Sequence, residues 1–193
     1  MKNLGGEFFT EKELHNVGFK SLGENVKIHS RASIYGVENI EIGNNVRIDD
    51  FCVIIASGPL FIGSFVHLAN YCWVGSKNGV YISDFCSFAP RVTILSASDD
   101  YTGLYLTNIT VPKEYTKPTS ANDKVVFGKH VIVGASSIVL PGCNIGEGAS
   151  IGAMSIVNKN INPWSINLGN PIRNFGNREK NILEFEKLIK QNL

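Results

Sequence analysis

From Leu22 to Asn162 the apolar residues follow neither the helical period nor an unbroken two-residue alternation; they recur every six residues. One phrase is an aliphatic residue, usually Gly or a small polar residue next, and a small or β-branched residue four places after the first. Phrases begin at Leu22, Ile28 and Ile34, at Ile42, Ile48 and Ile54, at Ile62, Leu68 and Val74, and at Ile82, Phe88 and Ile94. They resume at Phe127, Val133, Val139, Ile145, Ile151 and Val157. Each phrase predicts a very short strand and a turn. Three phrases make a triangular coil, and the first four coils start at 22, 42, 62 and 82, a fixed period of twenty that marks a solenoid.

In such a coil the first and fifth positions point inward, and the fifth is limited in size where two faces converge. Val26, Ala32, Val46, Cys52, Val66, Cys72, Cys86, Val92, Val131, Ser137, Cys143, Ala149, Ser155 and Ile161 occupy it. All four cysteines fall in this slot, so they are expected to be small core residues rather than nucleophiles, disulfide partners or zinc ligands.

The ends and corners carry their own signals. Residues 1–21 form a cap, in which Thr10-Glu11-Lys12-Glu13 has the form of a capping box and predicts a helix through about Asn16, ending near Gly18. Residues 22–162 are the solenoid, and 163–193 a tail that begins where Pro163 stops the repeats. From about Arg178 to Gln191 the stripe Ile182, Phe185, Leu188 and Ile189 predicts a second, amphipathic helix. The third corner of each early coil carries a glycine: Gly36, Gly58 and Gly79. The same corner of the fourth coil carries the one long interruption, a loop over 96–124. Long irregular loops inside compact repeats are usually functional, and this one is expected to project and touch another subunit.

Composition narrows the setting. A chain of 193 residues with 44% hydrophobic content can bury one real core, so a single domain is expected. A net charge of +1 gives no support to nucleic-acid or membrane-surface binding. The segment Met1-Lys2-Asn3-Leu4-Gly5-Gly6-Glu7 lacks the apolar run of a signal peptide, and no stretch is long enough for membrane insertion. Unpaired core cysteines fit a reducing compartment, and cytoplasmic residence is the expectation.

The phrases resemble the hexapeptide-repeat acyltransferases. That resemblance implies an all-β fold, a left-handed parallel β-helix with a protruding loop and short terminal helices, assembled as a homotrimer with acyl-CoA bound between subunits. The segments Val133–Gly142, Ile151–Lys159 and Gly169–Arg173 look like the acetyl-CoA-binding end of sugar acetyltransferases. By that likeness Ala135 and Ala153 offer backbone groups to the pantetheine arm, and Asn158, Lys159 and Arg173 meet the outer end of the cofactor, where cations suit phosphate oxygens. A narrower resemblance, through Ile62–Cys72 and Ser96–Gly103, is to sugar acetyltransferases found with bacterial O-antigen and capsule genes. These include enzymes that N-acetylate dTDP-linked amino-deoxy sugars such as dTDP-viosamine, so a nucleotide-activated sugar is the implied acceptor and lipopolysaccharide biosynthesis the implied setting.

Acyl transfer from a thioester needs an acceptor nucleophile, a place for its proton and donors toward the oxyanion, but no covalent enzyme intermediate. For His15, His29 and His130, surface or capping roles suffice. His67 holds the last, outward position of its phrase beside Asn70, and an imidazole pKa of about 6.5 suits a base at neutral pH. A solvated surface histidine fits the same position. Familiar sugar acetyltransferases place a catalytic histidine shortly after the strand matching Val92-Thr93-Ile94, whereas this chain has Ala97-Ser98-Asp99-Asp100 and no histidine in the loop. Either His67 takes the role, or Asp99 or Asp100 acts as base or orients the amine; Asn70, Asp99, Asp100 and Tyr101 are the candidate sugar contacts. His67 ends the first phrase of its coil and Asp99 follows the third phrase of the next, roughly 15 Å away across a face. Their joint use would require two subunits.

Three other functions compete. An O-acetyltransferase acting on a sugar hydroxyl would depend strictly on His67. A β-helical zinc carbonic anhydrase needs three convergent histidines, and His29, His67 and His130 hold different positions in their phrases, so no metal is expected. A non-enzymatic scaffold would not bind acetyl-CoA, the cofactor expected here.

Overall fold

A computed structural model of the chain describes residues 5–118, 120 and 123–191. Three parallel sheets wrap one core. The first runs from Ser21–Leu22 through Ile40–Ile42, Leu60–Ile62, Val80–Ile82 and Val125–Phe127 to Asn144–Ile145. The second runs through Lys27–Ile28, Arg47–Ile48, His67–Leu68, Ser87–Phe88, Ile132–Val133 and Ser150–Ile151, then adds Ser165–Leu168 and Arg173–Asn177. The third holds Ser33–Tyr35, Val53–Ile55, Trp73–Gly75, Thr93–Leu95, Ile138–Val139 and Ile156–Val157. Every neighbouring pair is parallel except the last in the second sheet, where Ser165–Leu168 and Arg173–Asn177 form an antiparallel hairpin. The expected parallel β-helix is therefore the observed fold.

The six-residue phrase explains the burial. First positions such as Ile48, Ile62, Val74, Phe88 and Val133 are buried, as are fifth positions such as Val46, Cys72, Val92 and Ala149. Fully burying one such aliphatic side chain contributes about 1.5–3 kcal/mol, so the stack is held by its repetition. All four cysteines are buried and unpaired, each Sγ–H donating to a carbonyl of the neighbouring coil, as in Cys52 to Ala69 at 3.1 Å and Cys86 to Gly128 at 3.2 Å. Burial pushes the Cys86 thiol up to about 12. No described residue leaves a buried polar side-chain atom unpaired.

The corner between the first and second sheets turns through left-handed residues, among them Phe65, Phe85 and His130. That conformation costs a non-glycine residue about 1–2 kcal/mol. Stacking offsets it: Phe65 lies on Phe85 at 4.7 Å between ring centroids, and Phe85 on His130 at 5.1 Å.

Both ends are covered. The helix Glu11–His15 (α1) forms with the expected reciprocal capping box, Thr10 Oγ1 accepting from Glu13 N and Glu13 accepting from Thr10 N, and it buries Leu14 on the first coil. Before it, Phe8 bridges His29 antiparallel and Phe9 N donates to Ile28 O, so an unforeseen segment closes that end of the second sheet. Met1–Leu4 of the expected cap lie outside the described residues. At the other end the helix Ile182–Gln191 (α2) begins later than the expected start near Arg178. Arg178 instead turns its guanidinium inward, Nη1 donating to the carbonyls of His130 and Gly148 at 2.7 and 3.1 Å.

His130 corrects the expectation of a surface or capping role. It is buried beneath α2, with Nε2 2.7 Å from Glu186 Oε2. His29 is also buried, yet Nδ1 does accept from Arg31 N, a local capping bond. No helix among the described residues is long and apolar enough to cross a membrane.

Candidate active site

Parallel register stacks the outward side chains of the second sheet into a ladder: Lys27, Arg47, His67, Ser87, Ile132 and Ser150. His67 thus stands directly over Arg47. Two residues after Arg47, where the chain leaves the sheet, the Asp49 carboxylate binds both. Its Oδ2 lies 2.8 Å from His67 Nε2 and its Oδ1 2.6 Å from Arg47 Nε. Burial would raise this carboxyl, but the hydrogen bonds from His67 and Arg47 outweigh it and hold Asp49 below the usual carboxylate range. An ionised carboxylate only accepts, so Nε2 carries the proton and a neutral imidazole keeps its lone pair on Nδ1. His67 is 43% exposed at its side chain, and Arg47 is braced against Phe8. The arrangement can take a proton from an approaching nucleophile.

Asn70 lies on the same corner. With Arg31, Asp49 and Asp50 it lines a hollow of about 240 Å³, and Arg31 pairs with Asp50 at 2.8 Å.

Further along the axis this corner loses its polar side chains. Asp49-Asp50 in the second coil and Ala69-Asn70 in the third give way to Ala89-Pro90, then Gly134-Ala135 and Gly152-Ala153. A Cβ on Gly134 would meet Ala153 N, and one on Gly152 would meet Leu168, so only glycine allows the coils to approach this closely. The Ala135 carbonyl accepts from Met154 N at 2.8 Å. Gly169 then crosses above, its N–H donating to Ser155 Oγ at 2.9 Å, and Arg173 pairs with Leu168 in the terminal hairpin. Ala135, Ala153 and Arg173 therefore share one edge with His67 and Asn70. Asn158 and Lys159 are exposed and follow Ile156–Val157, at the opposite end of the third sheet.

The long loop leaves that opposite corner after Ser96, whose buried hydroxyl accepts from the backbone N–H groups of Lys77 and Asn78. Asp100 is occupied locally: its carboxylate accepts from the N–H groups of Thr102, Leu104 and Tyr105 and from the Thr102 hydroxyl, which lowers its pKa to about 2. Asp99 lines a cavity of about 310 Å³ beneath the loop, while Tyr101 is 92% exposed. Within one chain no hydrogen bond or cavity joins His67 to the loop residues among those described. No cluster of described His, Cys, Asp or Glu side chains could hold a metal.

No family model matches the chain. A dTDP-4-amino-4,6-dideoxy-D-glucose acyltransferase of Escherichia coli is 46% identical over 184 residues, 95% of each chain. The chain belongs to the family of these dTDP-amino-sugar acyltransferases. Among solved structures, a point mutant of AntD, an N-acyltransferase from Bacillus cereus, matches with a TM-score of 0.90 at 40% identity, over 98% of this chain and 100% of that one, in a complex with dTDP and coenzyme A. AntD with dTDP and 3-hydroxybutyryl-CoA matches equally well, over 97% and 98% of the two chains. A maltose O-acetyltransferase from Clostridium difficile shares the fold, with a TM-score of 0.57 at 22% identity over 88% of this chain and 75% of that one.

Asp49 and Arg47 are the partners of His67 that reading the residues did not find. The signal was available, since residues twenty apart stack in the early coils, which puts Arg47 under His67 and Asp49 within reach of its ring.

Proposed function

We propose that this protein transfers an acyl group, with acetyl the simplest, from acyl-CoA to the amine of a dTDP-linked 4-amino-4,6-dideoxy sugar. The observation that carries the reading is the shared edge: an Asp49-oriented imidazole in the third coil, and Ala135, Ala153 and Arg173 in the coils beyond it. Three coils at about 4.8 Å each separate His67 from Ala153, roughly 14 Å, a span that an extended pantetheine arm covers.

In this reading the sugar amine attacks the thioester carbonyl, its C–N bond forms, and the coenzyme leaves as thiolate. The amine proton passes to His67 Nδ1 and on to the departing sulfur, while Asp49 stabilises the imidazolium between. Asn70 and Asp99 hold the sugar, with Tyr101 beside it. Asp100 shapes the loop rather than touching the acceptor. Arg173 takes phosphate oxygens of the cofactor, and Asn158 and Lys159 serve the outer end of a cofactor lying between two subunits.

A homotrimer fits this division. It would bring the loop of one subunit to the His67 edge of the next, and cover Tyr101, Leu104 and Ile109, which are 92%, 79% and 99% exposed in the single chain. The product, an N-acylated nucleotide sugar, suits a cytoplasmic step toward a bacterial surface polysaccharide such as O-antigen.

The test is release of CoA thiol from acetyl-CoA and 3-hydroxybutyryl-CoA with dTDP-linked amino sugars and their hydroxy counterparts, in wild type and His67→Ala. Amine-dependent release that falls about 100-fold in the variant supports the reading. Turnover with hydroxyl acceptors alone would make the protein an O-acyltransferase, and silence with both, without CoA binding, would leave a scaffold.

A further inference from the structure

The loop cavity has an unusual charge pattern. Lys77 contributes from the third corner of the third coil, while Lys113 and Lys117 come from the far side of the loop, around the short turn Lys113–Tyr115. Ser98, Asn108 and Thr116 add hydroxyl and amide groups, and Asp99 is the one carboxylate on the wall. None of the three lysines makes an ion pair with a described residue. Three ammonium groups on one wall repel one another, and that positive field suits the cavity to an anion.

The scaffold around it is firm. Lys77 N donates to the buried Ser96 hydroxyl at 3.0 Å, and Gly58 packs so closely beneath the Lys77 carbonyl that a Cβ there would collide with it. The loop is tied to itself, Leu106 N donating to Tyr115 O at 2.9 Å and Asn108 Oδ1 accepting from Thr110 N at 2.8 Å. The first ties hold the Lys77 backbone in the coil, and the others hold the loop strand that carries Lys113 and Lys117 in its fold.

We infer that the cavity under the 96–124 loop, through Lys77, Lys113 and Lys117, is the binding site for the diphosphate of the nucleotide sugar. This rests on the acyltransferase reading and extends it. The charges match the whole acceptor: a diphosphate meets the ammonium groups, and Asp99 on the same wall meets the ammonium of the amino sugar. Both substrates of such an enzyme carry a diphosphate, so the source has to be assigned. Lys159 lies three coils from Lys77 on the same corner, roughly 14 Å along the axis. It is an independent cationic position for the coenzyme, which leaves the loop lysines to dTDP.

Titration calorimetry of the full-length protein with dTDP, and separately with CoA, tests this in Lys77→Gln, Lys113→Gln and Lys117→Gln. Each variant should weaken dTDP about tenfold and leave CoA within about twofold. With dTMP, which lacks the second phosphate, the difference between wild type and variants should shrink. Lys113→Arg, which keeps the charge, should restore most of the dTDP affinity, a rescue that a folding defect would not show. Weakened CoA with unchanged dTDP would overturn the inference by giving the cavity to the coenzyme. Variants that bind dTDP as wild type does would overturn it alone, whereas a wild type that binds no dTDP would overturn the functional reading with it.

Discussion

The coils and the loop hold their side chains by opposite means. Asp49 is held by Arg47 two residues back and, one coil away, by His67, a bond that spans eighteen residues of sequence. Asp100 is fixed by partners two to five residues away and turns its carboxylate into the loop's own backbone. In the coils a side chain's position is set by the whole stack, so the geometry of His67 depends on packing beneath it. The loop is a self-tied unit joined to the stack near Ser96 and Val125. Under the proposed function, the rigid repeat would supply proton transfer and a path for the cofactor, and the loop would select the acceptor as a part that can change without disturbing the core.

Deleting 98–122 attacks that separation most directly. The solenoid should remain folded, with a cooperative melt and β-type circular dichroism, while CoA release falls about 10⁴-fold or more as the acceptor loses its positioning. Retained activity would make the loop an ornament, and an unfolded product would show that the two regions are not separable.

Next in size is the coil side of the comparison. His67→Ala should lower kcat about 100-fold, and Asp49→Asn about tenfold, because an asparagine no longer fixes the tautomer or stabilises the imidazolium. The acidic limb of the Asp49→Asn profile of kcat against pH should move to lower pH, because an imidazolium without the neighbouring carboxylate gives up its proton more readily. An unchanged rate and profile would return His67 to the solvent.

Arg173→Ala should raise the KM for acyl-CoA about tenfold and leave the KM for the sugar unchanged, sharpening the assignment of this edge to the cofactor. An unaltered cofactor response would remove Arg173 from the site.

The smallest effect falls on α2, which belongs to neither region. Lys190 and His130 hydrogen-bond the Glu186 carboxylate and lower its pKa to about 2. A depressed carboxyl stabilises the fold above its unfolded pKa, about 4.3, and that contribution is lost as pH falls toward 2. Glu186→Gln should therefore melt about 2–4 °C below wild type at pH 6, and the two curves should converge by pH 2. A gap that persists in acid would mean that the helix is held by packing alone.

The repeat was legible because each phrase reports its own local geometry: Ile48, Cys52 and Ile54 announce inward positions from spacing alone, and the structure buries all three. The capping box at Thr10 was legible for the same reason. Contacts between coils were less so. Asp49 looks like one more corner acid until Arg47 and His67 are stacked, and His130 looks like a surface histidine until α2 lies over it. Arg178 fits a helical stripe in sequence, yet its bonds to the His130 and Gly148 carbonyls hold it outside the helix. For the candidate site, spacing placed His67 and the loop on separate corners, and the structure keeps them there. The lysines of the loop cavity went unread because Lys77 of the third coil meets Lys113 and Lys117 only after the chain has folded back through Leu106 and Tyr115.

The row of cysteines gives the molecule a set of internal clocks. Cys52, Cys72, Cys86 and Cys143 sit in the second, third, fourth and fifth coils, each shielded and donating its Sγ–H to a carbonyl of the adjoining coil. A thiol reagent can reach any of them only when that coil unwinds. Because a stacked repeat opens step by step from its ends, the order in which the four thiols are alkylated would record which end frays first and how far the opening travels.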